Sequence, residues 1–237
     1  MHLKRIIVPD SYRQKKKELT FSIAVCPGPH KAKKSIPLAT TLRDVLKYAS
    51  IAKEAKRILS KKEIFVDAKA RTNYKYGIGF MDIISIPKTG DFFRVVIKDK
   101  KLNLTAIDKK EADKKICQIT GKSKIKKGIV QLHLHDGKNI LVDSKDKNAS
   151  NYSVGDSILI TLPKQEIKEH LPLSKDAFVM ITDGKNKGLI GNIAEIKEVK
   201  GFKPASYVVK TKEEEKHITM KPYIFVIGNK EASVKIN

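Results

Sequence analysis

The chain has 237 residues, 41% of them hydrophobic. At roughly 100–200 residues per domain, this length allows one large domain or two to three small ones. Lys and Arg number 49 against 26 Asp and Glu, which leaves a formal net charge of +23. Solubility requires a net charge of only about 2–8, and a Lys-rich proteome would not explain why acidic residues are scarce. The excess therefore predicts a polyanionic partner.

The cysteines and the N-terminal residues bear on the cellular compartment. Cys26 and Cys117 form neither a C-x-x-C pair nor a disulfide framework, which favours a reducing compartment. The sequence begins MHLKR, without the apolar core of a signal peptide, and no run approaches the roughly 18–20 apolar residues of a membrane span. We expect a cytosolic protein.

Residues 1–40 are predicted to form a basic extension. Four prolines interrupt regular structure, and only Leu19–Val25 alternates enough to be a strand. Such a segment cannot bury much of itself, so it is expected to be disordered or ordered on a partner, with a solvated tail as the alternative. His30 is a candidate phosphate or base contact. The candidate phosphate-binding cations here are Lys4, Arg5, Arg13, Lys15, Lys16, Lys33 and Lys34.

Residues 41–107 are predicted to form a helix–hairpin module. Apolar residues from Leu42 to Ala49 recur at three- and four-residue steps, as on one face of a helix. A second apolar stripe runs from Ala52 to Leu59, with Ser50 as the predicted N-cap. The opposite faces carry candidate phosphate contacts, namely Arg43, Lys47, Lys53, Lys56 and Arg57.

The second half of this module is predicted to be β-structure. Asp67-Ala68-Lys69 is the predicted turn after the first strand, and Asp108–Lys115 follows the last strand as a short charged helix. The predicted strands are Ile64–Val66, Ile83–Ile86, Phe92–Ile97 and Leu102–Ile107.

Residues 108–172 are predicted to form a central β domain, with Asp136-Gly137 as a hairpin turn. The segment between Pro163 and Pro172 is predicted to be a loop or a single helical turn that ends this domain. The predicted strands are Cys117–Ile119, Ile129–Leu134, Asn139–Val142 and Ser157–Leu162.

Residues 173–237 are predicted to form a second, barrel-like β unit and a tail. Gly188 and Gly191 interrupt its second strand, and Lys185 and Lys187 are candidate phosphate contacts in the loop before it. The predicted strands are Phe178–Ile181, Leu189–Ile196, Tyr207–Lys210 and Tyr223–Ile227.

The sequence offers little catalytic chemistry. His133 and His135 share a face of a predicted strand, but a zinc site would need further ligands that neither cysteine is spaced to supply. The motifs of serine hydrolases, zinc proteases, P-loop enzymes and dinucleotide-binding proteins are missing. We therefore expect no enzyme, no cofactor and no metal site. Tyr74 and Tyr76 could stack on exposed bases or pack over the hairpin, and both remain open.

Two stretches resemble known RNA-associated folds. LRDVL (Leu42–Leu46), EAKRIL (Glu54–Leu59) and IFVDAK (Ile64–Lys69) resemble the small RNA-binding fold of two helices and an L-shaped hairpin. That fold occurs in ribosomal proteins, some tRNA synthetases and pseudouridine synthases. VMITDGKNKGLIGNI (Val179–Ile193) resembles a KOW motif, a short β-barrel unit of ribosomal proteins and transcription–translation factors.

The whole chain is similar, in order, to the ribosomal protein S4e family of the archaeal and eukaryotic small subunit. VQLHLHDGKNIL (Val130–Leu141), YSVGDSI (Tyr152–Ile158), PGPH (Pro27–His30) and the initial MHLKR match that family too. The resemblance implies a β-rich α+β protein with an extended basic N-terminal arm and an SH3-like KOW barrel. It implies a non-catalytic constituent of the 30S/40S-type subunit that binds 16S-type rRNA near the 5′ region. Its partners would be rRNA and neighbouring ribosomal proteins in the cytoplasm, without homo-oligomers or membranes.

The resemblance also implies which cations of the module meet RNA, namely Arg43, Lys56, Arg57, Lys69, Arg71 and Lys75. Lys56 stands where the broader fold usually has Arg, which replaces bidentate phosphate geometry by a point charge. Ala68 follows Asp67 where the fold usually has Gly. A type I′ turn would cost a non-Gly residue about 1 kcal/mol, so another turn type is expected.

Two other classes of protein fit parts of the sequence. An RNA-modifying enzyme can contain the helix–hairpin fold, but would also need a catalytic domain. A transcription–translation coupling factor can contain the KOW-like unit. Co-sedimentation with small ribosomal subunits would distinguish the ribosomal hypothesis from both.

Overall fold

The computed structural model describes residues 3–12, 14–125, 128–143, 151–197, 205–211, 214–229 and 231–236. The chain divides into two compact units, Met1–Lys115 and Ile116–Ile236, with Asn237 grouped with the first. The predicted division into four segments stays a prediction. The described residues are β-rich with few helices, which confirms the α+β class in its coarse form. None of their helices has the length and apolar character needed to cross a bilayer.

The first unit is built on a five-stranded antiparallel sheet with two small strand pairs beside it. Its strands are β1 (Leu3–Lys4), β2 (Phe21–Ser22), β3 (Ser35–Pro37), β4 (Phe65–Val66), β5 (Lys69–Ala70), β6 (Gly77–Gly79), β7 (Ile83–Ile86), β8 (Asp91–Lys98) and β9 (Lys101–Ala106). The main sheet has the order β5-β4-β7-β8-β9, while β1 pairs with β2 and β3 with β6. The strands predicted from residues 83–107 are thereby confirmed.

The N-terminal segment is folded onto the first unit, so the expectation that it buries little is wrong. Arg5, Val8 and Tyr12 are buried, and β3 pairs with β6. The glycines of β6 make this approach possible, because a Cβ atom at Gly79 would lie 2.3 Å from the His30 ring. Composition alone could not reveal this, because cations and prolines interrupt the apolar residues of the segment. The strand predicted at residues 19–25 is reduced to β2.

The helices of the first unit are α1 (Leu38–Thr40), α2 (Ala52–Ser60) and α3 (Lys109–Ala112). The helical segment begins earlier than predicted, since α1 continues as one π-helical stretch over Thr41–Val45. The predicted Ser50 N-cap is also wrong, because Ile51 takes that position. Instead, Glu54 Oε2 accepts hydrogen bonds from the backbone amides of Ser50 (2.8 Å) and Ile51 (3.3 Å). The acidic residue of the first turn therefore satisfies amides that a helix leaves open.

The turn between β4 and β5 corrects the expected turn type. Asp67 and Ala68 have φ values of 50° and 60°, and Val66 pairs directly with Lys69. Positive φ at both central residues of a two-residue hairpin is the signature of type I′. The turn is held by its own first residue, because Asp67 Oδ1 accepts from the Ile83 amide and Asp67 Oδ2 from Lys115 Nζ.

The second unit begins with an antiparallel five-stranded sheet of order β12-β11-β10-β13-β14. Its strands are β10 (Lys114–Lys124), β11 (Val130–Leu134), β12 (Asn139–Val142), β13 (Ser157–Thr161) and β14 (Ile167–Leu171). Cys117, Leu132, Ile158 and Ile160 lie in its core. The loop predicted between Pro163 and Pro172 is wrong, since β14 pairs with β13 there. This edge strand alternates too weakly in polarity to be recognised.

The remainder of the second unit is another antiparallel sheet, of order β18-β17-β16-β15-β19. Its strands are β15 (Phe178–Ile181), β16 (Ile190–Lys197), β17 (Ser206–Thr211), β18 (Lys216–Met220) and β19 (Ile224–Gly228). The four strands predicted here are confirmed, and β18 was missed. Gly188 has a φ of +94°, and a Cβ atom at Gly191 would lie 2.2 Å from the Lys210 carbonyl oxygen. Both positions therefore require glycine.

Candidate nucleic-acid interface

Helix α2 presents one apolar and one cationic face. Ala55 and Leu59 are fully buried, whereas Lys53, Lys56 and Arg57 are exposed. This segregation follows from the helical period, which places residues three and four apart on one side. The sequence predicted these exposed cations correctly, although their contact with RNA stays a prediction.

The loop between β5 and β6 adds aromatic rings and further cations beside α2. Lys56 Nζ lies 4.3 Å from the centroid of the Tyr74 ring, and Lys75 Nζ lies 5.6 Å from the same centroid. Arg71 lies over the Tyr76 ring at 4.4 Å. The helix and the loop thus form one surface, which we call the α2–loop surface. It consists of Lys53, Lys56, Arg57, Arg71, Tyr74, Lys75 and Tyr76.

The two tyrosines hold cations in place within this surface. A cation over an aromatic ring is attracted by the negative face of the ring. Burial raises the pKa of Tyr76 to about 12, and nearby Asp82 adds to the rise. Its hydroxyl therefore stays neutral at physiological pH. Both rings thus lie beside a protein cation, which supports a packing role for these tyrosines.

Three other cations of the module differ in availability. Arg43 is half-buried and binds Asp44 through two hydrogen bonds, Nε to Oδ1 at 2.6 Å and Nη2 to Oδ2 at 3.0 Å. This pairing raises the pKa of Arg43. Burial would raise the pKa of Asp44, but its hydrogen bonds with Arg43 and Gln14 lower it overall. The Arg43 guanidinium is thus engaged within the protein, while Lys47 and Lys69 are exposed.

The cations of the N-terminal segment are only partly directed to solvent. Arg5 is buried and bonds to Glu18 at 3.2 Å. The exposed Lys15 and Lys16 pair with Glu18 and Asp10. The exposed cations also include Lys4, Lys33 and Lys34, while Arg13 lies outside the described residues.

His30 is a structural residue, which corrects its assignment as a phosphate or base contact. Only 6% of its side chain is exposed, and its Nε2 lies 2.9 Å from Asp82 Oδ2. Asp82 also binds Lys115, whose ammonium lies 2.7 Å from Oδ1. Sequence reasoning could not pair these residues, because 52 positions separate His30 from Asp82. The available signal was the isolated charge of Asp82 within an apolar run.

The remaining candidate residues lie in the second unit. Lys185 is exposed and Lys187 half-exposed in the loop between β15 and β16. His133 bonds to Ser123 and Asn139, and His135 accepts a hydrogen bond from the Gln118 amide at 3.2 Å. Both histidine side chains thus form hydrogen bonds within the sheet. Across the described ranges, no group of three or more metal-ligating side chains comes together.

Comparison with known proteins assigns the chain to a family. The model of "Ribosomal family S4e" matches residues 89–167. The small ribosomal subunit protein eS4 of Methanothermobacter thermautotrophicus is 39% identical over 99% of this chain and 95% of its own length. The chain belongs to the ribosomal protein S4e family. The resemblance found in the sequence is thereby confirmed.

Further members of the S4e family agree with this assignment. The eS4 protein of Methanocaldococcus jannaschii is 37% identical over 99% of this chain and 97% of its own length. The crystal structure of the 30S ribosomal protein S4e from Thermoplasma acidophilum superposes with a TM-score of 0.68 at 30% identity, covering 83% of this chain and 96% of that chain. The S4e relatives therefore match in sequence and in fold.

Proposed function

We propose that this protein is a structural constituent of the small ribosomal subunit and binds its 16S-type rRNA. The observation that carries the proposal is the α2–loop surface, where lysine and arginine side chains surround two tyrosine rings. Phosphate is the ligand that such a surface attracts most strongly. The relatives are named as small ribosomal subunit proteins, which supports ribosomal RNA as this partner.

The proposed mode of binding is electrostatic and shape-directed. Double-stranded RNA hides its base edges in a deep and narrow major groove, so proteins contact its phosphates and riboses instead. Lys53 and Arg57 lie one helical turn apart on α2, which allows them to follow a backbone. Lys56 and Lys75 flank Tyr74 and would contact neighbouring phosphates.

The finer architecture belongs to this proposal as well. The segment from α1 to β5 would act as the two-helix, L-shaped-hairpin module, and Lys69 would extend the contact. The sheet of β15–β19 would act as a KOW-like, SH3-like barrel, with Lys185 and Lys187 as its RNA contacts. The glycine requirements at Gly188 and Gly191 support the KOW-like assignment. The N-terminal Lys4, Lys33 and Lys34 would add phosphate contacts.

The proposal includes partners and place. The protein would contact rRNA and neighbouring ribosomal proteins within the cytoplasmic ribosome, as a monomer. The family favours this function over an RNA-modifying enzyme or a transcription–translation factor, since the relatives are named as ribosomal proteins. The expectation that the protein is not an enzyme is confirmed by the same assignment.

The Lys56→Ala/Arg57→Ala double variant tests the α2–loop surface. We expect weaker binding to a small-subunit rRNA transcript and a salt dependence reduced by about one unit for each lost phosphate contact. Filter binding across a series of salt concentrations measures both. Lys98→Ala/Lys101→Ala removes the same charge from exposed positions of β8 and β9. Equal losses in the two variants would show that binding depends on net charge alone.

The ribosomal function itself is tested by sedimentation. The protein expressed in its own cells should travel with small subunits through a high-salt sucrose gradient. Recovery only in the free fraction, or with RNA polymerase, would refute the assignment.

A further inference from the structure

A row of side chains crosses the main sheet of the first unit on one face. Phe65 of β4 is the direct partner of Ser85 in β7, and Ser85 is the direct partner of Phe92 in β8. Direct cross-strand partners lie on the same face of a sheet. The small Ser85 therefore separates two aromatic residues whose strands lie about 10 Å apart, twice the spacing of neighbouring strands.

This row forms the floor of an open groove of about 650 Å³. Phe65, Ser85 and Phe92 are partly exposed there. Partial exposure is unusual for phenylalanine, which is most often buried. Only 6% of the residues in the chain are aromatic, and two of them lie in this row. Pockets that hold small ligands span roughly 300–1,000 Å³, so the groove is large enough for one nucleotide.

Charged residues line the same groove beside Phe92. The Ile107 amide donates to the Phe92 carbonyl oxygen at 2.9 Å, which fixes the chain where it leaves β9. Asp108 and Lys109 come next and both line the groove. A lysine can pair with a phosphate, and a carboxylate can accept hydrogen bonds from the amino group of a base.

We propose that this groove binds one unstacked base of the rRNA, which would insert between Phe65 and Phe92. Lys109 would contact the phosphate of that nucleotide, and Asp108 its base edge. Flat rings on a sheet are a stacking platform that accepts any base. The inference rests on the proposed rRNA binding and extends it from the phosphates to a base.

Two observations favour RNA over a protein as the occupant. The net charge of +23 attracts a polyanion and repels a basic protein. Lys109 also lines the groove and can pair with a phosphate, a group that every nucleotide of RNA carries.

The Phe65→Leu/Phe92→Leu double variant of the full chain tests the groove. Leucine keeps the apolar packing but removes the aromatic face. We expect about 5- to 150-fold weaker binding to a small-subunit rRNA transcript, the effect of losing one stacked base. Phe93→Leu is the matched control, because Phe93 lies on the opposite face of β8 and should bind like the unsubstituted protein.

Ultraviolet cross-linking of the unsubstituted protein to the same transcript gives a second readout that needs no variant. We expect a nucleotide adduct on a peptide containing Phe65 or Phe92. Unchanged affinity of the double variant without such an adduct would overturn the base site while leaving rRNA binding intact. A peptide–peptide cross-link at these strands in assembled subunits would also overturn it, in favour of a protein neighbour. Failure of the unsubstituted protein to bind the transcript would instead overturn the proposed function.

Discussion

Lys115 shows how a buried charge is tolerated in the first unit. Its side chain is fully buried, with Nζ 2.6 Å from Asp67 Oδ2 and 2.7 Å from Asp82 Oδ1. His30 contacts the other oxygen of Asp82, which also accepts from the Gly79 amide at 2.8 Å. Removing a charge from water is costly unless its partners and hydrogen bonds are in place. This network therefore joins the N-terminal segment, the β4–β5 turn and the start of β10.

The Asp82→Asn variant tests the network. It would remove the Asp82 carboxylate from Lys115 and disturb His30, so we expect the free energy of unfolding to fall by about 3–5 kcal/mol at neutral pH. Urea denaturation followed by circular dichroism measures this change. Asp99→Asn, at an exposed turn position, should shift it by less than about 0.5 kcal/mol. A small effect of Asp82→Asn would mean that Lys115 finds adequate partners elsewhere.

The same network gives the protein a defined acid sensitivity. Burial alone would raise the pKa of Asp82, but the charge of Lys115 and the contact with His30 lower it well below its ordinary value. The unfolded carboxyl has a pKa of about 3.9. The stabilisation from Asp82 is therefore complete above that pH and is lost as the pH falls towards the folded-state pKa. The unsubstituted protein should lose stability more steeply below pH about 4 than Asp82→Asn does.

At the scale of elements, the β4–β5 turn shows tertiary contacts overriding the backbone preference of the two turn residues. Ala68 adopts a positive φ that favours glycine, while Asp67 before it is fixed by Ile83 and Lys115. The tertiary contacts of Asp67 thus stabilise a turn that the dipeptide alone disfavours. The sequence placed the turn correctly but could not show those contacts, because Lys115 lies 48 positions away.

The Ala68→Gly variant should relieve this strain. Glycine has no Cβ penalty at positive φ, so we expect the free energy of unfolding to rise by about 0.5–1 kcal/mol. Ala70→Gly, within β5, should lower it by a similar amount because glycine weakens a strand. Thermal or urea unfolding of both variants measures the difference. A loss of stability in both would mean that Ala68 is not left-handed in solution.

The strands that were predicted from the sequence differ from those that were missed in how continuous their apolar residues are. Interior strands such as β8 and β13 have strongly apolar runs, so the pattern identified them. The missed β14 and β18 are edge strands in which polar residues interrupt the apolar ones, whereas the more apolar edge strands β9, β12 and β19 were predicted. An edge strand needs fewer apolar side chains and often carries charge that blocks further pairing. Hydrophobic periodicity therefore detects apolar strands in the interior or at an edge, and misses polar edge strands.

The sequence predicted the candidate site in part, as it predicted the strands in part. The exposure of Lys53, Lys56 and Arg57 followed from helical period alone. The burial of Arg5 and His30 did not, because each depends on a partner distant in sequence, Glu18 and Asp82. The aromatic row of Phe65 and Phe92 was also missed, since strand register decides which residues share a face.

On the scale of the whole molecule, positive charge is distributed over both units. The α2–loop surface belongs to the first unit, and the loop with Lys185 and Lys187 belongs to the second. Two contacts on one chain raise the effective concentration of the second contact once the first has formed. Proposed rRNA binding by both units would therefore be tighter than binding by either unit alone.

The Lys185→Ala/Lys187→Ala variant tests whether the second unit takes part. We expect it to weaken binding to a small-subunit rRNA transcript and to reduce the salt dependence by about one unit for each lost phosphate contact. Combination with Lys56→Ala/Arg57→Ala should give a loss of binding free energy equal to the sum of the two, because these residues share no partner.

Lys164→Ala/Lys168→Ala is the control, because it removes the same charge from other exposed positions of the second unit. If that control and Lys185→Ala/Lys187→Ala had equal effects, the β15–β16 loop would contribute only to the general field of the protein. A loss of affinity confined to Lys185→Ala/Lys187→Ala would identify this loop as a direct contact. The reason is that removing any two charges at similar distances from the RNA weakens the general electrostatic attraction equally.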